Sequence, residues 1–353
     1  MQGVVRITSG FQQESSLNPS AKKVLDQLFE KGWADPAKIN QESREVALLL
    51  NEARNTFAKF LAVRNDEIEF LGDLNLGFHL AISGLVNAES KLIYSKIDKQ
   101  SVFAVAKHWQ NNGQTVIELN VDQAGQIESF NSDPNDLLIW QVANGETGII
   151  QRNPESKSIT FADCTSSGVD YLPNFDYQTA LFDSKSWQGP SGLGILIIKN
   201  QELWRNPLPH NDYVRVPNSY SVPLVLASAV ALEAYILEKD KVATFKAKLI
   251  AQLKQSDLNF LTHENQHNLP KYLNLIFPNI EADRLVLELQ DAGFAVDSGS
   301  ACRSADMEPS HVLAAMKLPT TGSIRITFHP QISEGAVVEL GKAIIACVQK
   351  LTN

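Results

Sequence analysis

The sequence has 353 residues, of which 44% are hydrophobic and 20% charged, with 40 acidic and 31 basic side chains. A domain typically takes about 150 residues, so we expect two closely joined domains. The net charge of -9 argues against a nucleic-acid-binding protein, which needs a basic surface. No apolar run approaches the roughly 20 residues of a membrane span, and residues 1–10 lack the pattern of a signal peptide.

The three cysteines, Cys164, Cys302 and Cys347, are too few for a disulfide framework. Proteins of the reduced cytoplasm typically use cysteine in this sparse way. We therefore expect a cytoplasmic protein without membrane segments.

In the N-terminal part, apolar residues recur at helical spacing in two segments, 20–32 and 41–62. Short apolar runs follow, rich in β-branched residues and separated by helix-like stretches. These strand candidates are residues 91–96, 115–120, 136–143, 158–163 and 193–199. Strands that alternate with helices predict a largely parallel sheet covered on both faces.

The pattern changes after Pro223. A long helical stretch is followed by the strand candidates KYLNLIF, FAVDS and SIRITF and by helices at 281–291 and 333–351. This arrangement predicts an α+β unit with a small antiparallel sheet. We place the large α/β domain at 12–225 and the small domain at 226–353, with residues 1–11 joining the small one.

Two residues of the C-terminal part are candidates for chemistry. Cys302 lies in a small, polar segment, 297–304, and the adjacent Arg303 favours its thiolate form. Arg325 stands in the middle of a predicted strand, where a guanidinium can clamp a carboxylate with two hydrogen bonds. The residue pattern alone leaves open an ordinary loop cysteine and a surface or paired arginine.

Two further candidates lie in the N-terminal part. Asp163 ends a predicted strand, which is where open α/β sheets bind ligands, although a turn or helix cap explains it equally well. Lys185 precedes the tight turn Gly189–Gly194; a lone lysine is usually a surface charge. The sequence has no CxxC or GxSxG pattern, and neither a metal site nor a serine triad is predicted.

Taken in order, these motifs resemble the class V aminotransferase group, and specifically its cysteine desulfurases, which use pyridoxal 5'-phosphate (PLP). Ser298-Gly-Ser-Ala-Cys302, with Glu308-Pro-Ser-His-Val-Leu313, resembles the family's catalytic-cysteine loop. Ser323-Ile-Arg325 resembles the strand that carries its substrate-carboxylate arginine, and Asn144-Gly-Glu-Thr-Gly148 its Asn-Asn-Glu-x-Gly segment. Asp163 falls where the family's aspartate pairs with the ring nitrogen of PLP.

The resemblance implies a fold-type-I homodimer, with a large domain built on a mostly parallel seven-stranded sheet and a small α+β domain. It also implies that cysteine is the substrate, bound through Arg325 and Asn144. Sulfur would pass to Cys302 as a persulfide, alanine would be released, and an acceptor protein would take the sulfur onward.

Several cofactor positions carry other residue types than the family's. The family has Ser-x-His-Lys just before Gly-Pro; counted back from Gly189-Pro190, the lysine position is Ser186 and the histidine position is Lys185. Lys185 is the Schiff-base lysine only if one residue is inserted. The remaining PLP positions correspond to Lys99 for the ring-stacking histidine, Ser166 for a glutamine, Asn75 in the phosphate loop and Ser219 for the cross-subunit threonine.

The sequence therefore supports three hypotheses. The first is a PLP-dependent cysteine desulfurase that uses Lys185, Asp163, Cys302 and Arg325. The second is a homologue without PLP chemistry that acts as a binding protein or a sulfur carrier. The third is another class V aminotransferase or lyase reaction, in which Cys302 takes no part.

Overall fold

The structure is a computed structural model. It describes residues 9–31, 34–85, 89–209, 220–263, 267–298 and 309–352. The strands of these residues are β1 (Ser9–Gly10), β2 (Ile68–Leu71), β3 (Leu92–Ser95), β4 (Val116–Leu119), β5 (Leu137–Gln141), β6 (Ile159–Asp163), β7 (Thr179–Asp183), β8 (Gly194–Ile198), β9 (Tyr272–Ile276), β10 (Phe294–Ala295), β11 (Asp297–Ser298) and β12 (Ser323–Thr327). The α-helices are α1 (Pro19–Lys31), α2 (Gln41–Leu61), α3 (Leu74–Ser83), α4 (Gln100–Asn111), α5 (Val222–Glu238), α6 (Lys241–Lys254), α7 (Ala282–Asp291), α8 (His311–Ala315) and α9 (Glu334–Thr352).

Seven strands form one large sheet in the order β2-β8-β7-β6-β5-β3-β4. β8 runs antiparallel to both of its neighbours, and the other adjacent pairs are parallel. The central strands β5, β7 and β8 are buried along their whole length, because helices cover both faces of the sheet. The predicted class, a mostly parallel seven-stranded α/β sheet, is confirmed.

The helices α1, α2 and α5 pack together on one face of this sheet. Their core includes an aromatic group in which the Phe57 ring lies 5.6 Å from Phe70 and 6.1 Å from Trp187. α3 and α4 cover the other face with a second apolar cluster. None of the helices that the structure describes is long and apolar enough to cross a membrane.

A smaller sheet, β11-β12-β9, is antiparallel, as the C-terminal pattern predicts. It shares a separate apolar core with α6, α7 and α9. β1 pairs with β10, and the fully buried Phe11 extends this core, so the start of the described chain packs with its C-terminal part. The change from one core to the other falls between α5 and α6. The domain boundary at 225 stays a prediction.

The strands that the sequence pattern predicts in the large sheet lie within two residues of the observed ones, but β2 and β7 are omitted. The β7 sequence, TALFD, gives five residues without an alternating pattern, because β7 is buried on both faces. β7 matters for function, since its carboxyl end leads into the short 3-10 helix Ser184–Trp187, which contains Lys185.

Candidate active-site cleft

The carboxyl ends of the parallel strands meet at one edge of the large sheet, and a cleft of about 380 Å³ opens there. The turn after β3 contributes Lys99, the turn after β5 contributes Asn144, and the segment after β7 contributes Lys185. The small sheet contributes Arg325 from the middle of β12. Residues of both sheets therefore line one cleft.

The structure brings most of the predicted site residues to this cleft. Those that line it are Lys99, Asn75, Asn144, Ser166, Lys185 and Arg325. Asp163 is buried, 1% exposed, at the end of β6, and Ser186 lines a small adjoining cavity beside Lys185. Cys302 and Ser219 lie outside the described residues.

A fixed backbone holds Lys185 at the cleft. Asp183 accepts a hydrogen bond from the Lys185 amide (2.9 Å), and the fully buried Trp187 donates its indole N–H to Ser228 (3.1 Å). The Lys185 ammonium lies 3.9 Å from the carboxylates of both Asp183 and Glu14. Lys185 is thus a cleft residue engaged in ion pairs, rather than the solvated surface charge of the simpler interpretation.

Ser186 packs closely against the segment that follows Asp163. Gly168 has φ +53, and a Cβ atom there would lie 2.3 Å from the Ser186 hydroxyl, so only glycine permits this approach. The Ser186 hydroxyl is buried without a hydrogen-bond partner among the residues described, while its carbonyl accepts from Lys271 (3.2 Å). The position that we counted as the family's Schiff-base lysine is therefore an enclosed hydroxyl without an amine.

Two carboxylates near Arg325, Glu146 and Asp297, received no role in the sequence analysis. Burial raises the pKa of Glu146, against the opposing effects of Arg325 and a hydrogen bond from Ser310. Burial likewise raises the pKa of Asp297, against the Gln13 amide and Arg325. The Arg325 Nε and one Glu146 oxygen are both buried and have no hydrogen-bond partner within the described part of the chain.

The side-chain oxygen and nitrogen of Asn144 both hydrogen-bond to other residues of the protein. Its side-chain oxygen accepts from the amides of Glu146 (2.9 Å) and Thr147 (3.0 Å), and its amide donates to Gln141 (3.0 Å) and Ile97 (3.2 Å). Asn144 therefore shapes the turn that presents Glu146 to the cleft. Its substrate contact stays a prediction.

His311 also lines the cleft, although the sequence analysis assigned it no role of its own. Its Nε2 donates to the Asp98 carbonyl (2.9 Å), and its ring contacts Phe103 edge-on at 5.3 Å. Burial lowers its pKa, which the hydrogen bond to Asp98 opposes. His311 thus ties the helix after the Cys302 segment to the turn that carries Lys99.

A family model described as aminotransferase class V matches residues 18–340. The chain belongs to this family. Among its relatives, a Bacillus subtilis protein named putative cysteine desulfurase IscS 1 is 27% identical, over 96% of this chain and 98% of its own length. Cysteine desulfurase NifS of Azotobacter vinelandii is 25% identical, over 92% and 88%.

Solved structures show the same fold at lower sequence identity. A structure titled NifS-like protein matches 98% of this chain and all of its own chain, with a TM-score of 0.86 and 21% identity. A NifS-like protein from Rickettsia africae has a TM-score of 0.82 and 15% identity, covering 97% and 99%. The predicted membership in the class V group is confirmed.

One feature of the cleft matches the cofactor that this family uses. One Asp163 oxygen accepts hydrogen bonds from the amide and the hydroxyl of Thr165, while the other is buried without a hydrogen-bond partner among the residues described. A protonated ring nitrogen of PLP would satisfy that oxygen.

The phosphate end of the cleft does not match. Asp73 caps α3 by accepting from the Leu76 amide (2.7 Å), so a carboxylate already occupies the helix end that favours anions. Two residues before Lys185, at the serine position of Ser-x-His-Lys, stands a second carboxylate, Asp183. A phosphate group carries up to two negative charges, and these carboxylates repel it. With Ser186 at the lysine position as well, the residues present do not fit PLP as the family holds it.

Proposed function

We propose that this protein is a cysteine desulfurase-like sulfur carrier, which binds a small α-amino acid in the cleft and receives sulfur on Cys302. The observation that carries the proposal is the Arg325 guanidinium, which lines the cleft and has a buried Nε without a hydrogen-bond partner in the described ranges. A carboxylate is the group that such a donor binds best, because the hydrogen bond is charge-assisted.

The other unpartnered atoms of the cleft favour an amino acid over a simple acid. Glu146, which lines the cleft, has a buried oxygen without a hydrogen-bond partner among the described residues, and so does Asp163 at the end of β6. Leaving a buried acceptor unsatisfied costs about 1–3 kcal/mol, so a ligand that donates there is favoured. An α-amino acid supplies both an ammonium that donates and a carboxylate that accepts.

The role of sulfur rests on the sequence and on the names of the relatives. Cys302 follows Ser298, the last residue of β11, and β11 pairs with the strand that carries Arg325. The relatives named above are called cysteine desulfurases, and a solved structure of the same fold is titled SspA in complex with cysteine. Cysteine and its persulfide are therefore the amino acids that we expect in the cleft.

Removing sulfur from the carbon of cysteine requires an electron sink, which the cleft residues do not provide. Transfer from a persulfide has no such requirement. The Cys302 thiolate attacks the outer sulfur of a donor R–S–SH, a new S–S bond forms, and the S–S bond of the donor breaks. The donor leaves as the thiolate R–S⁻. Electrons balance without an oxidant, and Cys302 holds the transferred sulfur.

Ligand binding tests the cleft. By calorimetry, we expect cysteine to bind and cysteamine, which lacks the carboxylate, to bind at least tenfold more weakly. Arg325→Gln should reduce cysteine affinity by about 10- to 100-fold, because a hydrogen bond to a charged group contributes about 1.5–3 kcal/mol. Equal affinities for cysteine and cysteamine would refute amino-acid recognition by Arg325.

Mass spectrometry tests sulfur transfer. After incubation with a small-molecule persulfide, the protein should gain the mass of one sulfur atom on the peptide that contains Cys302, and Cys302→Ser should not. Cys164 provides an internal control, because burial and the nearby Asp163 raise the pKa of its thiol well above the usual value. Sulfur found equally on all cysteine peptides would contradict a specific carrier.

The second candidate function is a PLP-dependent cysteine desulfurase anchored on Lys185. The unpartnered Asp163 oxygen and the position of Lys185 in the cleft favour it. It predicts alanine release from cysteine in the presence of PLP, and PLP trapped on Lys185 by borohydride. The sulfur-carrier proposal predicts neither result.

A further inference from the structure

Three buried carboxylates lie at the carboxyl ends of three parallel strands of the large sheet. Asp98 follows β3, Asp163 ends β6 and Asp183 ends β7, and they are 0%, 1% and 7% exposed. Burial raises the pKa of Asp98 well above its usual value, with a further contribution from Asp163. Burial also raises the pKa of Asp183. Such a group of buried acids is costly unless a cation compensates it.

Lys99 reaches Asp163 through one hydroxyl and lines the same cleft as Asp98 and Asp183. Its ammonium donates to the Thr165 hydroxyl, and that hydroxyl donates in turn to Asp163. The charge of Lys99 also acts on Asp98 and Asp183, in each case opposing the rise in carboxyl pKa. Lys99 is thus the cation that is linked to Asp163 and also lines the cleft with Asp98 and Asp183.

The other lysines near the cleft contact only part of this group. Lys185 lies 3.9 Å from Asp183, but its side chain is 30% exposed and also faces Glu14. The charge of Lys271 opposes the rise in the pKa of Asp183, but the ion pair that Lys271 itself forms is with Asp170, at 2.9 Å. Neither Lys185 nor Lys271 is among the groups that shift the pKa of Asp98. Lys99 is therefore the cation whose loss affects all three carboxylates.

The position of Lys99 relates this arrangement to the cofactor site of the family. By the sequence resemblance, Lys99 stands where the family has the histidine that stacks on the PLP ring, and Asp163 stands where the family pairs a carboxylate with the ring nitrogen. In this chain the Lys99 ammonium connects these two positions through the Thr165 hydroxyl. The cation that a bound ring would bring to Asp163 is supplied by the protein itself.

We infer that Lys99 is an internal countercharge, which neutralises the buried acids of the cleft in place of a cofactor and excludes PLP from the ring position. This inference goes beyond the proposed function, because it concerns how the cleft is stable without PLP and does not depend on sulfur transfer at Cys302.

A double-mutant cycle without any cofactor tests the countercharge. Lys99→Met keeps the length of the side chain and removes its charge, and it should lower the folding equilibrium constant at least tenfold in urea unfolding. Lys99→Arg, the matched control, should stay within about threefold of wild type. Asp163→Asn in the Lys99→Met background should recover most of the loss. If Lys99→Met is as stable as wild type, or if Asp163→Asn adds its own loss independently, the countercharge role is wrong.

A second experiment tests the exclusion of PLP. Wild type incubated with excess PLP and then borohydride should carry no stoichiometric adduct and show no visible imine band. Lys99→His combined with Ser186→Lys should bind PLP more tightly than Ser186→Lys alone, by at least tenfold. Stoichiometric PLP on wild type, or no difference between the single and the double variant, would refute the exclusion. Calorimetry with cysteine on the same wild-type sample shows separately whether the proposed function holds.

Discussion

The buried ion pair beneath Ser186 allows a quantitative prediction. Lys271 and Asp170 have side chains that are only 4% and 5% exposed, and their charged atoms are 2.9 Å apart. Tyr235 donates its hydroxyl to the same carboxylate at 2.9 Å. Burial alone lowers the pKa of Lys271, but Asp170, Tyr272 and Asp183 together outweigh that effect, so the net pKa is raised and Lys271 is charged in the folded protein.

Lys271→Met removes the cation and leaves Asp170 buried. Removing one partner of a buried ion pair costs about 3–5 kcal/mol. The Tyr235 hydroxyl and the Lys239 ammonium, 4.0 Å from Asp170, remain, so we expect the lower end of that range. The predicted loss is about 3 kcal/mol in the free energy of unfolding, or roughly a hundredfold in the folding equilibrium constant.

Urea denaturation followed by fluorescence measures this loss, with Lys239→Met as the matched control. The more exposed Lys239 should contribute no more than about 1 kcal/mol. Adding Asp170→Asn to Lys271→Met should cost less than the sum of the two single variants, because the buried charge disappears. A loss below about 1 kcal/mol for Lys271→Met, or strict additivity in the double variant, would refute the reasoning.

Two further predictions concern stability. Burial lowers the pKa of His329 from 6.5 to about 4, against the opposing hydrogen bond to the Gln12 carbonyl. The folded state therefore binds fewer protons than the unfolded state in that interval, and about 3 kcal/mol of stability should be lost as pH falls through it. His329→Gln should remove that part of the pH dependence, and parallel pH profiles would contradict the assignment. Gly322 has φ +72, and its missing Cβ would lie 2.0 Å from the Phe277 carbonyl, so Gly322→Ala should lower the unfolding free energy by more than about 3 kcal/mol. A near-neutral thermal shift for this variant would contradict that geometry.

The fold was predictable because its signals are local. Periodic apolar residues give the helices α1 and α2, and short apolar runs give β3 to β6 and β8. β7 was not predictable, because a short strand buried on both faces has no alternating pattern. Asp183, the last residue of β7, therefore also received no role as a site residue, although an acid at a strand end was the signal that led to Asp163.

Most residues of the candidate site were predictable from the sequence, but the contacts between them were not. Lys99 and Arg325 are in the cleft because each follows or lies within a recognisable strand, whereas Lys185 was found by its spacing from Gly189-Pro190. The contact of Lys99 with Thr165 joins turns after two strands that are not neighbours in the sheet, and no sequence spacing encodes it. Because the role of a lysine depends on the acids around it, only the three-dimensional arrangement reveals Lys99 as a countercharge.

The placement of Phe11 has a consequence for the order of folding. Phe11 is fully buried between Phe294 and Phe328, whose ring centroids lie 6.3 Å and 6.2 Å away, and β1 pairs with β10. During synthesis this N-terminal segment leaves the ribosome long before its partners exist. Contacts so distant in the chain form slowly, because a long loop must close first. The segment around Phe11 therefore stays without its packing partners, and accessible to chaperones and proteases, until Phe328 has been made, and the smaller core is completed only after that.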